Sequence, residues 1–303
     1  MNVVETSGLA KRYRSTWALR DCTLAVPAGH IVALVGPNGA GKTTLLHCAV
    51  GLCTATNGNI TVLGDLAPGS LDALERVAFV AQDVPLYKYL SVRSMVAVAR
   101  NLNSRFDQAQ AEERLRALEI PSDRKVGKLS GGQQAQLALT LSLARDPDLL
   151  VLDEPLARLD PLARHDFMAL VMAAVAASGF SVIFSSHVVS ELERFADYLI
   201  VLARGRVQML GDIDDLLAGH AMLSGPVEEC DLVGEQFAVV QTRKAARHAE
   251  LLVRTTGNPE LPSGWESDHV SLEELVLAYL RDPSASMLPG PLTLDELEAS
   301  EVT

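Results

Sequence analysis

The sequence predicts an α/β domain built on an open sheet, followed by a small α+β accessory domain, and three observations carry that expectation. Short apolar runs at Ile31 to Val35, Leu149 to Leu152 and Ser181 to Phe184 each lead into a polar turn and then a helical pattern. The first of those turns is glycine-rich, GPNGAGKTT from Gly36 to Thr44. After about residue 217 the texture changes to short strand-like pieces with turn residues at Gly219, Gly225-Pro226 and Asn258-Pro259.

The chain has 303 residues, 48% hydrophobic and 21% charged, enough to bury one core and a smaller annex. A formal net charge of -12 with no run of Lys and Arg excludes a broad nucleic-acid surface, since phosphate backbones are bound by clustered cations. Four cysteines (Cys22, Cys48, Cys53, Cys230) lack CxxC spacing and read as reduced structural thiols of a cytoplasmic chain. The opening MNVVETSGLAKRYR has no apolar core of a signal peptide. Met168 to Phe184 is interrupted by Ser178-Gly179 and falls short of the ~20 apolar residues of a membrane span. A buried helix followed by a buried strand is expected there.

In chain order, Val3-Val4 and Thr23 to Val26 read as strands, with Pro27-Ala28-Gly29 as a turn before Ile31 to Val35. Tyr13 lies in a polar segment where its ring could stack on a base, with Trp17 as the competitor. Gly36 to Thr44 has phosphate-loop spacing, with a strand before it and a helix from Leu45 to Gly51 after it. Its glycines at 36, 39 and 41 let successive backbone N–H groups converge on an anion at a helix N-terminus. Lys42 would reach the β- and γ-phosphates and Thr43 would ligate Mg²⁺. Asn57-Gly58-Asn59 reads as a turn, then Ile60 to Leu63 and Val77 to Val80 as strands. Gln82 follows the second of these, where an amide can meet both a metal ion and a water.

Residues 88 to 120 are helical by pattern and form, up to about 145, an inserted helical subdomain. Leu129-Ser130-Gly131-Gly132-Gln133 opens its last long helix, a second glycine-bearing N-terminus suited to anions. Asp153-Glu154-Pro155 ends the buried strand Leu149 to Leu152, so carboxylates stand at the strand end where open α/β sheets bind ligands. A turn from Leu156 to Asp160 precedes a helix over Arg164 to Ala177, with Pro161 a plausible first helical residue. His187 ends the next strand, Glu191 to Asp197 reads as helical, and Leu199 to Leu210 has the form of a hairpin about Arg204-Gly205. Residues 1–217 are expected to form the main domain and 218–283 the accessory domain, with strands at Phe237 to Gln241 and Leu251 to Arg254. Ser271-Leu272-Glu273-Glu274 is a capping-box start for a helix from Leu272 to Arg281. Residues 284–303 read as a loose tail or a partner-binding arm.

Taken together, the phosphate loop, Gln82, LSGGQ, Asp153-Glu154 and His187 resemble, in this order, the ATP-binding-cassette (ABC) family over roughly residues 3 to 215. LSGGQ is the specific item, because phosphate loops and acidic strand ends are shared by many NTPases. The resemblance implies the P-loop NTPase fold of that family. It implies that Tyr13 stacks on adenine and that Gly36, Pro37, Asn38, Gly39, Ala40, Gly41, Lys42, Thr43 and Thr44 hold the phosphates of ATP. It implies Mg²⁺ at Thr43, Gln82 and Asp153, with Gln82 also sensing the transport partner. Catalysis falls to Glu154, with His187 at the γ-phosphate and Gln82 beside it. Ser130, Gly131, Gly132, Gln133 and Asp160 would face the ATP of a second cassette, expected to be an identical copy arranged head to tail.

Two departures from the family pattern stand out. Arg158 occupies a place usually held by a small residue, and Gln134-Ala135-Gln136 lacks the usual basic residue. The function implied is the ATP-hydrolysing subunit of an exporter, peripheral on the inner face of the membrane through a separate integral permease, with no nucleic-acid partner. The competing reading is a non-transport ABC ATPase acting on ribosomes, DNA or other machinery. Such relatives carry tandem cassettes, coiled-coil insertions or basic arms, and none is visible in this sequence.

Overall fold

The computed structural model describes residues 1–157, 159–189, 193–255, 257 and 261–282. Arg158, part of the expected helix at 191 to 197, the turn at Asn258-Pro259 and the tail lie wholly or partly outside them. Contacts divide the chain into two units, Met1–Tyr198 with Leu202–Val207, and Leu199–Val201 with Gln208 onward. The sequence reading sets its boundary at 217, about ten residues later.

The first unit contains, in chain order, β1 (Asn2–Tyr13), β2 (Thr16–Pro27), β3 (Ile31–Val35), α1 (Lys42–Ala49), β4 (Asn57–Val62), α2 (Leu71–Arg76) and β5 (Val77–Val80). Then come α3 (Val92–Leu102), α4 (Gln108–Ala117), α5 (Gly131–Leu143), β6 (Leu149–Leu152), α6 (Pro161–Ser178) and β7 (Ser181–Ser186). The hairpin strands β8 (Tyr198–Ala203) and β9 (Arg206–Asp212) carry the chain across the division.

Strands β5, β6, β7 and β3 lie side by side in that order and are parallel. Every residue of β3, β6 and β7 is buried, which is why their sequences run apolar without alternation. Their register pairs Val80 with Leu152, Leu152 with Phe184, and Val35 with Ser186. Four carboxyl ends therefore finish together, so that Gly36, Gln82, Asp153 and His187, far apart in sequence, leave one edge of the sheet.

An antiparallel sheet ordered β2-β1-β4 accompanies this parallel set. The expected turn at Asn57-Gly58-Asn59 is instead the start of β4, with Asn57 paired to Ala10 and Asn59 to Ser7. Gly58 adopts φ +75 and a Cβ there would lie 2.2 Å from the Gly8 carbonyl. Its glycine serves a close approach of two strands, not a reversal. The short helix α2, capped by the Ser70 side chain, has no counterpart in the sequence reading.

Helices α3, α4 and α5 enclose their own apolar cluster, including Val92, Val96, Leu115, Val126 and Leu137. The expected helix and strand at 168–184 resolve as the end of α6, stopped by Gly179 in the left-handed region (φ 69), and β7.

The second unit contains α7 (Ile213–Ala218), β10 (His220–Pro226), α8 (Cys230–Gly234), β11 (Ala238–Lys244), β12 (His248–Arg254), β13 (Glu266–Asp268) and α9 (Leu272–Arg281). Its antiparallel sheet is ordered β11-β12-β10-β13. Gly225-Pro226, expected as a turn, ends β10. Trp265 lies so close over Gly225 that a Cβ would sit 2.3 Å from its ring. The core joins Leu223, Cys230, Val233, Leu251, Val253 and Trp265. Helix α9 starts with the expected capping box, Ser271 Oγ accepting from Glu274 N. Its fully buried Tyr279 hydroxyl accepts from Arg254 Nε at 2.7 Å and lies 2.9 Å from His220 Nε2.

Candidate functional site

The loop between β3 and α1 is shaped by two glycines. At Gly36 a Cβ would sit 2.1 Å from the Leu202 carbonyl oxygen, so the chain leaves the sheet against backbone that admits no side chain. Gly41 adopts φ 108 and is the N-cap of α1, a position where an L side chain would be strained and would meet the Ala18 carbonyl at 2.5 Å. No side chain caps α1, so its first amides keep their donors for another acceptor.

Lys42 is only 5% exposed. Its Nζ donates to the Gly36 carbonyl at 2.8 Å and the Pro37 carbonyl at 3.4 Å, and lies 3.3 Å from Glu154 Oε1. Those carbonyls hold the ammonium under the loop. Thr43 Oγ1 donates to Asp153 Oδ1 at 3.2 Å. Asn38, Gly39, Ala40, Gly41 and Thr44 line one concavity with Lys42, Thr43, Gln82, Glu154, Ala157 and His187.

Across the loop stand the strand ends. Asp153 is 2% exposed and accepts a second hydrogen bond from Ser185 Oγ at 2.8 Å. The same Ser185 oxygen accepts from the Glu154 backbone N–H at 2.8 Å. Ser185 thus ties both acidic residues to β7, a role the sequence reading missed. Its signal was position alone, one strand over from the acidic pair.

Glu154 has φ +44, a backbone conformation that costs a non-glycine residue about 1 kcal/mol or more. The strain aims its carboxylate back at the loop. Gln82 Nε2 donates to Glu154 Oε2 at 3.3 Å and His187 Nδ1 lies 3.5 Å from that oxygen. Three nitrogens, from Lys42, Gln82 and His187, therefore surround one carboxylate. The cluster fits a divalent cation through hard oxygens, the Thr43 hydroxyl and the Asp153 carboxylate with the Gln82 amide in reach, completed by phosphate oxygens. Among the described residues no group of three or more His, Cys, Asp or Glu side chains gathers as a metal cage.

The second glycine-bearing helix start lies elsewhere. Ser130 caps α5 reciprocally, with Gln133 N donating to Ser130 Oγ at 3.2 Å and Ser130 N donating to Gln133 Oε1 at 3.1 Å. Ser130, Gly131, Gly132 and Gln133 line a different concavity together with Asp160, which caps α6 by accepting from Ala163 N at 2.9 Å. Within this chain that set does not meet the loop at Lys42.

Tyr13 is 48% exposed at the end of β1, and its phenol lies beside the Cys53 thiol and the Thr44 hydroxyl. Partial burial first, and the Cys53 thiol second, push that phenol up from its ordinary value. Lys11 Nζ sits 5.1 Å from the Tyr13 ring centre, while the competitor Trp17 is covered by the Arg12 guanidinium at 5.5 Å. The Tyr13 phenol thus lies beside Thr44 of the loop.

Comparison with known proteins gives a consistent answer. The family model described as ABC transporter matches residues 19–157. An ABC transporter ATP-binding protein of Nostoc sp. is 31% identical over 236 residues, 72% of this chain and 69% of the relative. The thiamine import ATP-binding protein ThiQ of Salmonella typhimurium is 33% identical over 67% of this chain and 88% of its own length. The Nod factor export ATP-binding protein I of Burkholderia orbicola is 34% identical over 76% and 75%. Among solved structures, an ATP-binding subunit of an ABC transporter superposes with a TM-score of 0.63 and 29% identity, covering 71% of this chain and 91% of that one. A Clostridium perfringens subunit described as part of the ABC transporter complex cbiONQ gives 0.62 and 25%, covering 72% and 91%. The chain belongs to the ATP-binding proteins of ABC transporters, the ATP-hydrolysing cassettes of P-loop α/β fold.

Proposed function

We propose that this chain drives an exporter by closing head to tail on a second, identical cassette around two ATP molecules and acting on a separate integral permease. The observation that carries the reading is the separation of the two helix starts. Lys42, Thr43 and Glu154 line one concavity, Ser130 to Gln133 another, and one chain supplies both halves without joining them. Two copies facing each other can place each half against the other's complement.

In that closed site the loop amides and Lys42 bind the phosphates, and Tyr13 stacks on the adenine. Thr43 and Asp153 are the residues that would hold Mg²⁺, which when bound would offset the charge of the triphosphate. Glu154 orients and deprotonates the attacking water, a role served by its strained backbone and by the Ser185 anchor. His187, beside Glu154, holds the γ-phosphate, and Gln82 couples the site to the helical subdomain. Ser130 to Gln133 of the second copy complete the cover with a helix N-terminus.

No helix among the described residues is long and apolar enough to cross a membrane. The solved relative described as part of the ABC transporter complex cbiONQ supports a cassette that works within a larger transporter assembly. Export is the proposed direction, from the single cassette followed by a small annex ending in Ser271-Leu272-Glu273-Glu274-Leu275. The Nod factor export relative matches more of this chain than the thiamine import relative does, which supports that direction. Light scattering of Glu154→Gln with ATP tests the pairing. A dimer that appears only with nucleotide is expected, and a chain that stays monomeric at saturating ATP sinks the proposal. A mild-detergent pull-down from native membranes tests the permease, and recovery of ribosomes without a membrane protein overturns transport.

A further inference from the structure

The helix that starts at the phosphate loop ends in a pair of thiols. Cys48 lies in the last turn of α1 and Cys53 in the turn that follows, and their Sγ atoms are 3.2 Å apart. The turn is fixed by Leu52 N donating to the His47 carbonyl at 2.8 Å and by Cys53 N donating to the same oxygen at 3.2 Å. Cys48 is 1% exposed, whereas Cys53 is only partly buried and follows the exposed Leu52. Burial first, and the neighbouring Cys53 second, push the Cys48 thiol up to about 12. Cys22 and Cys230 are both buried.

The pair also borders the nucleotide site. Cys53 Sγ faces the Thr44 carbonyl at 3.9 Å, and the Tyr13 phenol lies beside both Cys53 and Thr44. We propose that Cys48 and Cys53 are a reversible redox site, oxidised by a hydroperoxide to a disulfide that displaces Tyr13 and lowers nucleotide affinity. The solvent-reached Cys53 sulfur attacks one oxygen of hydrogen peroxide, breaking the O–O bond. Cys53 becomes a sulfenic acid, and the departing oxygen leaves as water with the thiol proton. The Cys48 sulfur then attacks the Cys53 sulfur and expels the hydroxyl, which takes the Cys48 proton and leaves as a second water. Two thiols lose one electron each and one peroxide gains two. Closing the bond needs the sulfurs to move from 3.2 Å to about 2.05 Å, a shift the exposed turn at 51–53 can supply.

The effect on nucleotide rests on Tyr13 as the adenine platform, while the disulfide itself does not. The test treats the full chain with hydrogen peroxide and reads it twice. Peptide mass spectrometry should show a loss of two hydrogens on the segment holding Cys48 and Cys53, reversed by dithiothreitol. A fluorescent ATP analogue should bind roughly fivefold or more weakly after oxidation, the scale of one base–aromatic stack, and recover on reduction. Cys53→Ser should abolish both changes and Cys230→Ser neither. Oxidation of Cys53 to a sulfinic acid without a link to Cys48 overturns the proposal. A link that leaves ATP affinity unchanged overturns the control of binding. Tyr13→Ala then separates the causes, because normal ATP binding by that variant places the fault in the adenine reading and weakened binding places it in the redox coupling.

Discussion

Two glycine-bearing helix N-termini in this chain look alike in sequence and differ in how their amides are used. At α1 the N-cap is Gly41, which has no side chain to offer, and beside it stand a buried lysine and two carboxylates. At α5 the N-cap Ser130 and Gln133 satisfy each other, and among the described residues no cation lines the concavity. The first terminus is a charged anion site whose donors await a ligand. The second is a self-capped surface bordered by the Asp160 and Asp166 carboxylates, which can add a contact but cannot by itself hold a triphosphate. A helix N-terminus therefore becomes a binding site through what is withheld from it as much as through its dipole.

Substitutions sharpen or break this contrast, beginning with the largest effect. Glu154→Gln should cut phosphate release about 10²–10⁴-fold while ATP binding survives. Hydrolysis at the wild-type rate would remove Glu154 from its role. Lys42→Ala strips the charged terminus of its cation and should weaken ATP binding about 10–100-fold in calorimetry. Unchanged affinity would mean the loop amides suffice and the two termini differ less than argued.

Ser130→Ala removes the reciprocal cap and should lower turnover about fivefold and stability by about 1 kcal/mol. Binding of ATP to one chain should stay unchanged, because Ser130 lies outside that concavity; weaker binding by the isolated chain would erase the distinction.

The smallest effect lies in the second unit, at His220. Burial first, and the Arg254 charge further, hold His220 below its ordinary 6.5, while its bond to the Leu216 carbonyl opposes them. The unfolded chain then takes up a proton that the folded unit resists. Stability should be full above about 6.5 and fall as the pH drops toward the folded value. His220→Gln should flatten that slope in thermal melts recorded between pH 5 and 8. A slope unaltered by the substitution would assign it elsewhere.

Much of the candidate site was legible because its residues come in short motifs whose spacing is local. Gly36 to Thr44, Gln82, Asp153-Glu154 and His187 each end a strand, and an apolar run followed by a polar residue announces that. Ser185 was not legible. Its two hydrogen bonds depend on the pairing of Leu152 with Phe184, which neither strand states alone. The same limit explains Asn57-Gly58-Asn59. Asn and Gly are turn formers by local preference, yet β1 lies alongside and its hydrogen bonds outweigh that preference. Gly225 was misjudged for the mirror-image reason, since what needed the small residue was the ring of Trp265, forty positions on.

The carboxylate of Glu154, ringed by Lys42, Gln82 and His187, has a consequence for timing. While Lys42 and Gln82 engage its oxygens, Glu154 is turned to the protein rather than to a water, and Lys42 to a carboxylate rather than to a phosphate. In the proposed mechanism a γ-phosphate arriving at the loop would compete Lys42 away, and that exchange would free the Glu154 oxygens for water at the moment an attackable phosphorus is present. On that reading the ion pair would work as an interlock, keeping base and substrate charge from being armed separately.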